Sequence, residues 1–130
     1  MRETTYQSEE YADIGIQLMH EKPSLSWILD SGLSIGFMSS DKKKTSGGKV
    51  TCADCAVVPD KYRYFVPYDI LVTVYEPNIE GFTEDQVRML LHHELLHVAP
   101  GGKVNPHDVD EFREIIKEYG VDWAQVEHAD

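Results

Sequence analysis

The sequence contains no long apolar run. None of its hydrophobic stretches approaches the roughly 18 residues that a membrane-spanning helix needs. The first residues, MRETTYQSEEYAD, are polar and acidic, and they lack the apolar centre of a secretory signal peptide. We therefore expect a soluble, cytoplasmic protein that has no membrane partner.

Positive charge is also scarce. The chain has 12 Lys and Arg against 23 Asp and Glu, which gives a formal net charge of −11. A surface of this charge repels nucleic-acid phosphates and anionic lipids, so we expect no nucleic-acid partner. The one basic run, residues 42–44, is followed by Thr, Ser and two Gly, which indicates an exposed hairpin tip.

Cysteine is limited to Cys52 and Cys55. Zinc sites built on such a pair normally need a second pair, or histidines at zinc-finger spacing. If the segment is a strand, residues three apart point to opposite faces, which opposes both chelation and a disulfide. We expect two reduced thiols, with redox or metal chemistry as the alternative.

The composition is that of an ordinary globular protein, with 42% hydrophobic and 27% charged residues, and 130 residues suit a single domain over 1–130. Ser8 is a predicted helix N-cap, Thr83 with Gln86 predicts a capping box, and Gly32 predicts a helix end. Ile70, Val72 and Val74 are predicted to line one face of a strand. Hydrophobic spacing predicts helices over 8–21 and 24–31, strands over 33–38, 49–58 and 69–76, a helix from Thr83 to Val98, and a last helix over 105–120. This order predicts an α+β fold. A small, antiparallel three-stranded sheet would pack against an N-terminal helix, the helix from Thr83 and the C-terminal helix.

Residues 93–97 read His-Glu-Leu-Leu-His, an HExxH motif on a predicted helix. His93 and His97 are four residues apart, so both imidazoles project from one helix face and can occupy adjacent corners of a tetrahedral zinc site. Glu94 lies about 100° round the helix from His93. It can therefore act on a water molecule as general base without being a ligand. His92 points away from His97, and we expect it to be exposed or to support a ligand.

A hydrolytic zinc site needs a third protein ligand and one open position. His107, beyond the Pro-Gly-Gly turn, is the first candidate, and the acidic residues beside it, Asp108, Asp110 and Glu111, are the rivals. Asp108 or Glu111 could instead hold a histidine in position.

At these residues a family resemblance becomes visible. The run HHELLHV, followed by His107-Asp108 and Phe112, resembles the HExxH…H pattern of compact zinc metallopeptidases of the SprT-like and YgjP-like groups. A closer resemblance is to a phage-type metallopeptidase domain, through KYRYFVPYDILVTVYEPNIEGFTEDQVRMLLHHELLHV and HDVDEF…YGVDW. It covers residues 49–123 well and the first 48 loosely. The interval from His97 to His107 is longer than in the YgjP-like pattern.

The resemblance implies a minigluzincin fold with His93, His97 and His107 as zinc ligands and Glu94 as the base. It implies a zinc metallopeptidase of a bacterial or phage-infected cell that acts on peptide or protein substrates; the oligomeric state stays open. Tyr68, Tyr75 and His128 are candidate oxyanion donors. The alternatives are a non-catalytic zinc-binding module of the same fold and a metal-free helical adaptor.

Strand 70–76 directly precedes the HExxH helix, and consecutive elements are usually neighbours in space. We therefore expect it to be an edge strand that binds the substrate by strand addition. The alternative is a central strand, in which case substrate would enter over the 99–106 loop.

Overall fold

The computed structural model describes residues 5–104. The predicted helix over 105–120 lies outside this range. Residues 5–104 form three helices: α1 (Glu9–Glu21), α2 (Pro23–Ser31) and α3 (Glu84–Leu95). They also form eight strands: β1 (Thr5–Gln7), β2 (Ile35–Ser40), β3 (Thr45–Ser46), β4 (Lys49–Val50), β5 (Ala53–Val57), β6 (Ile70–Tyr75), β7 (Val98–Ala99) and β8 (Lys103–Val104). Within 5–104, no helix is both long and apolar enough to cross a bilayer.

The first two helices begin and end where local chemistry predicts. The Ser8 side chain accepts a hydrogen bond from the Tyr11 backbone N–H, and Glu9 and Glu10 place negative charge in the first turn of α1. Gly32 ends α2 in the left-handed conformation, with φ 80°. Both predicted helices are therefore confirmed.

The main sheet has four strands in the order β1-β2-β6-β5 and is mixed rather than antiparallel. Strands β2 and β6 are parallel, whereas β1 with β2 and β5 with β6 are antiparallel. The prediction of three antiparallel strands was wrong in two respects: the sheet has a fourth strand, β1, and its two middle strands are parallel. Strand β1 was missed because its residues are all exposed and show no apolar alternation.

The predicted strand over 49–58 is divided in the structure. Its start, β4, forms a short hairpin with β3 across Gly47 and Gly48, whose φ values are 59° and 78°. Two successive residues at positive φ favour glycine and suit a tight hairpin turn. The hairpin tip thus lies just after the basic run, and Lys44 of that run is ion-paired with Asp54 on β5.

Strand β6 is central in the sheet, so its prediction as an edge strand was wrong. It pairs with β2 from Ile35↔Ile70 to Ser40↔Tyr75 and with β5 from Val57↔Ile70 to Ala53↔Val74. Its inward side chains, Ile70, Val72 and Val74, are 0% exposed and share one core with the helices. Their alternation was predicted, but the residues on the other face are also half-buried or buried, as a central strand requires.

Helix α3 begins with the predicted capping box: the Thr83 side chain accepts from the Gln86 N–H, and the Gln86 side chain accepts from the Thr83 N–H. It ends at Leu95, three residues earlier than predicted. Val98 and Ala99 leave the helix because they pair with Val104 and Lys103 in a hairpin. Gly101 and Gly102, with φ of 82° and 73°, provide the turn.

Cys52 and Cys55 do not form a disulfide in the structure. Cys52 is buried just before β5, and its thiol lies 3.8 Å from the Asn78 carbonyl oxygen as a hydrogen-bond donor. Cys55 is half-buried within β5, opposite Val72 of β6.

Truncation of Leu91, which is 0% exposed in the core, should destabilise the fold. We expect Leu91→Ala to lower the free energy of unfolding by about 2–5 kcal/mol, because the cavity adds to the lost transfer free energy. Leu29→Ala is the matched control, since Leu29 is 41% exposed, and it should cost about 0.5 kcal/mol or less. Urea unfolding measures both; equal losses would contradict the placement of α3.

Candidate metal centre

The rotation of α3 about its axis decides which side chains meet. Leu91 and Leu95, both 0% exposed, are four residues apart and direct one face of α3 into the core. His93 lies about 200° round the helix from Leu91, so it projects from the opposite side. It is half-buried there, whereas Glu94 is 6% and His97 8% exposed.

His97 lies beyond the regular helix and yet stays one turn from His93. The Leu96 N–H donates a hydrogen bond to the His92 carbonyl, and the His97 N–H donates one to the Glu94 carbonyl. The distance from nitrogen to oxygen is 3.1 Å in both. The second bond spans three residues, so the chain tightens into a 3-10 turn before β7 begins. The imidazole ring centres of His93 and His97 are consequently 5.2 Å apart, with an angle of 84° between the ring planes.

Three potential donor atoms converge at this end of α3. One nitrogen each of His93 and His97 and one carboxylate oxygen of Glu94 all lie within 4.8 Å of one another. Imidazole nitrogen and carboxylate oxygen are both donors that zinc accepts. The described residues therefore fit a divalent transition metal, and the position of the Glu94 carboxylate suits either a ligand or a base acting on a nearby water.

His92 is 0% exposed, so the first of the two expectations for it, an exposed side chain, was wrong, and the second, support of a ligand, stays a prediction. It lies about 100° round the helix from Leu91. Leu90 and Leu91, which directly precede His92 in the sequence, already indicated that this part of the helix is buried. The structure places His92 outside the three-residue cluster.

Two of the candidate oxyanion donors lie away from the cluster, on the face of the sheet opposite the helices. Tyr68 packs over Gly36 and contacts Gln7 through its hydroxyl. Tyr75 donates a hydrogen bond of 2.6 Å to Asp54, and burial, followed by that bond, raises the pKa of its hydroxyl. The remaining candidates, His128 and the possible third ligands His107, Asp108, Asp110 and Glu111, lie outside the described residues.

The sequence reasoning missed the β7–β8 hairpin, which begins directly after His97. Val98 and Ala99 are 5% and 7% exposed, so the hairpin fixes the chain immediately beyond the second histidine. The signal was present: apolar residues on both sides of Pro100-Gly101-Gly102 are typical of a short hairpin.

A family model described as "Putative phage metallopeptidase" matches residues 3–129. The chain belongs to this family. The match includes the whole HExxH motif and the segment in which the third ligand was predicted. No curated protein and no solved structure matches the chain. The family description implies a metal ion, and the cluster of two histidines and one glutamate could bind one.

Replacement of either histidine should abolish metal binding. We expect the purified protein to bind one zinc ion per chain, and His93→Ala and His97→Ala to lose it, because each removes one imidazole of the pair. Zinc at one hundred times its dissociation constant should stabilise the native protein by about 2.7 kcal/mol. Elemental analysis and thermal unfolding with and without a chelator measure these effects.

His20→Ala is the matched control, since His20 is exposed on α1. It should retain zinc and the shift on chelation. A zinc content below one tenth of an equivalent after dialysis against zinc, or retention of zinc by His93→Ala, would contradict a metal centre here.

Proposed function

We propose that the protein is a zinc-dependent metallopeptidase that hydrolyses peptide bonds with Glu94 as general base. The observation that carries this proposal is the convergence of His93, Glu94 and His97 within 4.8 Å in a chain of the phage metallopeptidase family. The spacing of His93 on α3 and His97 just beyond its end suits both imidazoles to bind one metal ion. His107 is the third ligand that we propose, with Asp108 and Glu111 as the rivals.

Each residue of the cluster has a distinct task in this proposal. A zinc ion held by the histidines would supply a Lewis acid that activates water and polarises the scissile carbonyl. Glu94 would accept the proton of the attacking water and deliver it to the leaving amine. Its carboxylate is largely buried, so its position is fixed before substrate binds.

The substrate that we propose is a peptide in extended conformation, bound along β5 rather than β6. Strand β5 ends the sheet, packs against α3 and lies near β8. The Val58 N–H donates to the Asp69 carbonyl and the Tyr75 N–H to the Cys52 carbonyl. Because antiparallel pairs alternate, the backbone groups of Ala53 and Val57 point away from β6, toward the outer edge where a peptide can add as a strand.

A non-catalytic zinc-binding module is the second candidate, and one observation favours it. The Glu94 carboxylate is 6% exposed and lies within ligand distance of both imidazoles, so it could complete a closed site. Structural zinc sites have four protein ligands, whereas catalytic sites keep one position open. The two candidates therefore predict different results when the Glu94 carboxylate is removed: a catalytic site keeps its zinc, whereas a closed structural site loses a ligand.

Glu94→Gln separates them. We expect this variant to keep its fold and its zinc and to hydrolyse peptides about 10²–10⁴-fold more slowly, because an amide does not accept the proton of water. Mass spectrometry of a mixture of unstructured peptides incubated with zinc-loaded protein measures cleavage, and elemental analysis measures zinc. Glu9→Gln, at an exposed position of α1, controls for the loss of one negative charge.

The proposal fails if Glu94→Gln loses the metal, since Glu94 would then be a ligand. It also fails if the zinc-loaded unmodified chain cleaves no peptide in the mixture while both variants hold zinc equally well. That second result would support the non-catalytic module.

A further inference from the structure

A groove of about 1150 Å³ lies between α1 and the N-terminal half of α3. The segment that joins β6 to α3, residues 76–82, contributes Glu76, Pro77, Ile79, Glu80 and Phe82 to its lining. Neither the metal centre nor the proposed path of substrate along β5 uses this groove.

Part of the lining is apolar, and the packing of residues 5–104 leaves these apolar side chains partly exposed. Ile14 of α1, Phe82 of the connecting segment and Val87 of α3 all line the groove, and all are only partly buried against the core. They come from three different elements, and those elements share one core. The groove therefore offers a preformed apolar surface to a partner side chain.

The remainder of the lining is strongly acidic. Among residues 5–104, five carboxylates, those of Glu10, Glu76, Glu80, Glu84 and Asp85, line the groove together with two cations, Lys43 and Arg88. Arg88 is already ion-paired with Glu21, which does not line the groove. Three of the acids lie in the first turns of α1 and α3, where the helix dipole favours them, whereas Glu76 and Glu80 lie outside both helices.

Glu76 holds one wall of the groove in place. It accepts hydrogen bonds from the hydroxyls of Tyr11 and Ser39, and these bonds connect the β6 end to α1 and β2. Burial, followed by the bond with Glu76, raises the pKa of Tyr11. Tyr11 therefore remains a neutral hydrogen-bond donor near neutral pH.

The groove is separate from the metal centre and shares no lining residue with the His93 cluster. Glu84 and Arg88 lie about 140–180° round α3 from His93, and Glu84 precedes His93 by about 13 Å along the helix axis. A ligand in the groove would therefore contact neither His93 nor His97.

We propose that this groove binds a cationic segment of a partner protein, in which Lys or Arg side chains flank an apolar side chain. The apolar side chain would contact Ile14, Phe82 and Val87, and the cations would pair with the acidic rim. Opposite charges across such a surface attract the partner from a distance and fix its orientation. The proposal concerns binding alone and stands whether or not the chain hydrolyses peptides.

A labelled peptide of alternating Lys and Leu tests the proposal by fluorescence anisotropy. We expect saturable binding to the zinc-loaded protein that weakens as salt rises, and no binding of the matched peptide of alternating Glu and Leu. Glu10→Lys/Glu80→Lys should weaken binding at least about tenfold, because two attractive charges become repulsive. Val87→Thr should also weaken it, since it replaces a methyl group of the apolar surface with a hydroxyl.

Asp30→Lys/Asp60→Lys is the control for net charge, because both residues are exposed and neither lines the groove. This double variant changes the net charge equally and should alter the affinity less than about threefold. Thermal unfolding verifies that each variant folds. Equal weakening by the two double variants, or binding unaffected by either, would overturn the proposal. Self-association in sedimentation velocity that Glu10→Lys/Glu80→Lys abolishes would also overturn it, because the occupant would be a second copy.

Discussion

The burial of one face of α3 is the constraint on which the metal centre depends. Leu91 and Leu95 are completely buried in the same core as the inward side chains of the central strand β6. A helix fixed at these two positions cannot rotate, so His93 must project on the other side of α3. The buried Val98 and Ala99 then hold the chain directly after His97. The histidine pair is thus positioned by apolar packing before any metal binds.

The sequence predicts well those elements whose signals are local. The Ser8 and Thr83 caps, the Gly32 helix end and the alternation of Ile70, Val72 and Val74 each concern a few adjacent residues, and each is found in the structure. The HExxH spacing belongs to this class, because the last turn of α3 and the 3-10 turn that follows it bring His93 and His97 together.

Strand pairing could not be predicted in the same way. Which strand becomes β6's neighbour depends on contacts between residues far apart in sequence, and the exposed strand β1 carries no apolar pattern at all. The burial of His92 likewise depends on tertiary packing. For a related reason the sequence could not place Tyr68 and Tyr75 on the face of the sheet opposite the helices, since proximity in sequence to β6 does not state which face a side chain occupies.

Part of the acidic charge of the chain is concentrated at one surface of the structure. Several of the 23 acidic residues gather at one groove, on the side of α3 that faces away from the histidines. One helix therefore presents two chemically different surfaces: an imidazole pair near its end and an acidic, apolar-floored groove near its start. Under the two proposals, the chain would hold a partner at a distance from the bond that it cleaves.

Zinc-edge anomalous diffraction from crystals of the zinc-loaded protein would show whether His93 and His97 bind one metal ion. We predict one strong anomalous peak per chain, with imidazole nitrogens of His93 and His97 at about 2.0–2.1 Å from it, and a third protein ligand from the segment after residue 104. A single peak elsewhere, or a peak that lacks either imidazole as a ligand, would contradict it.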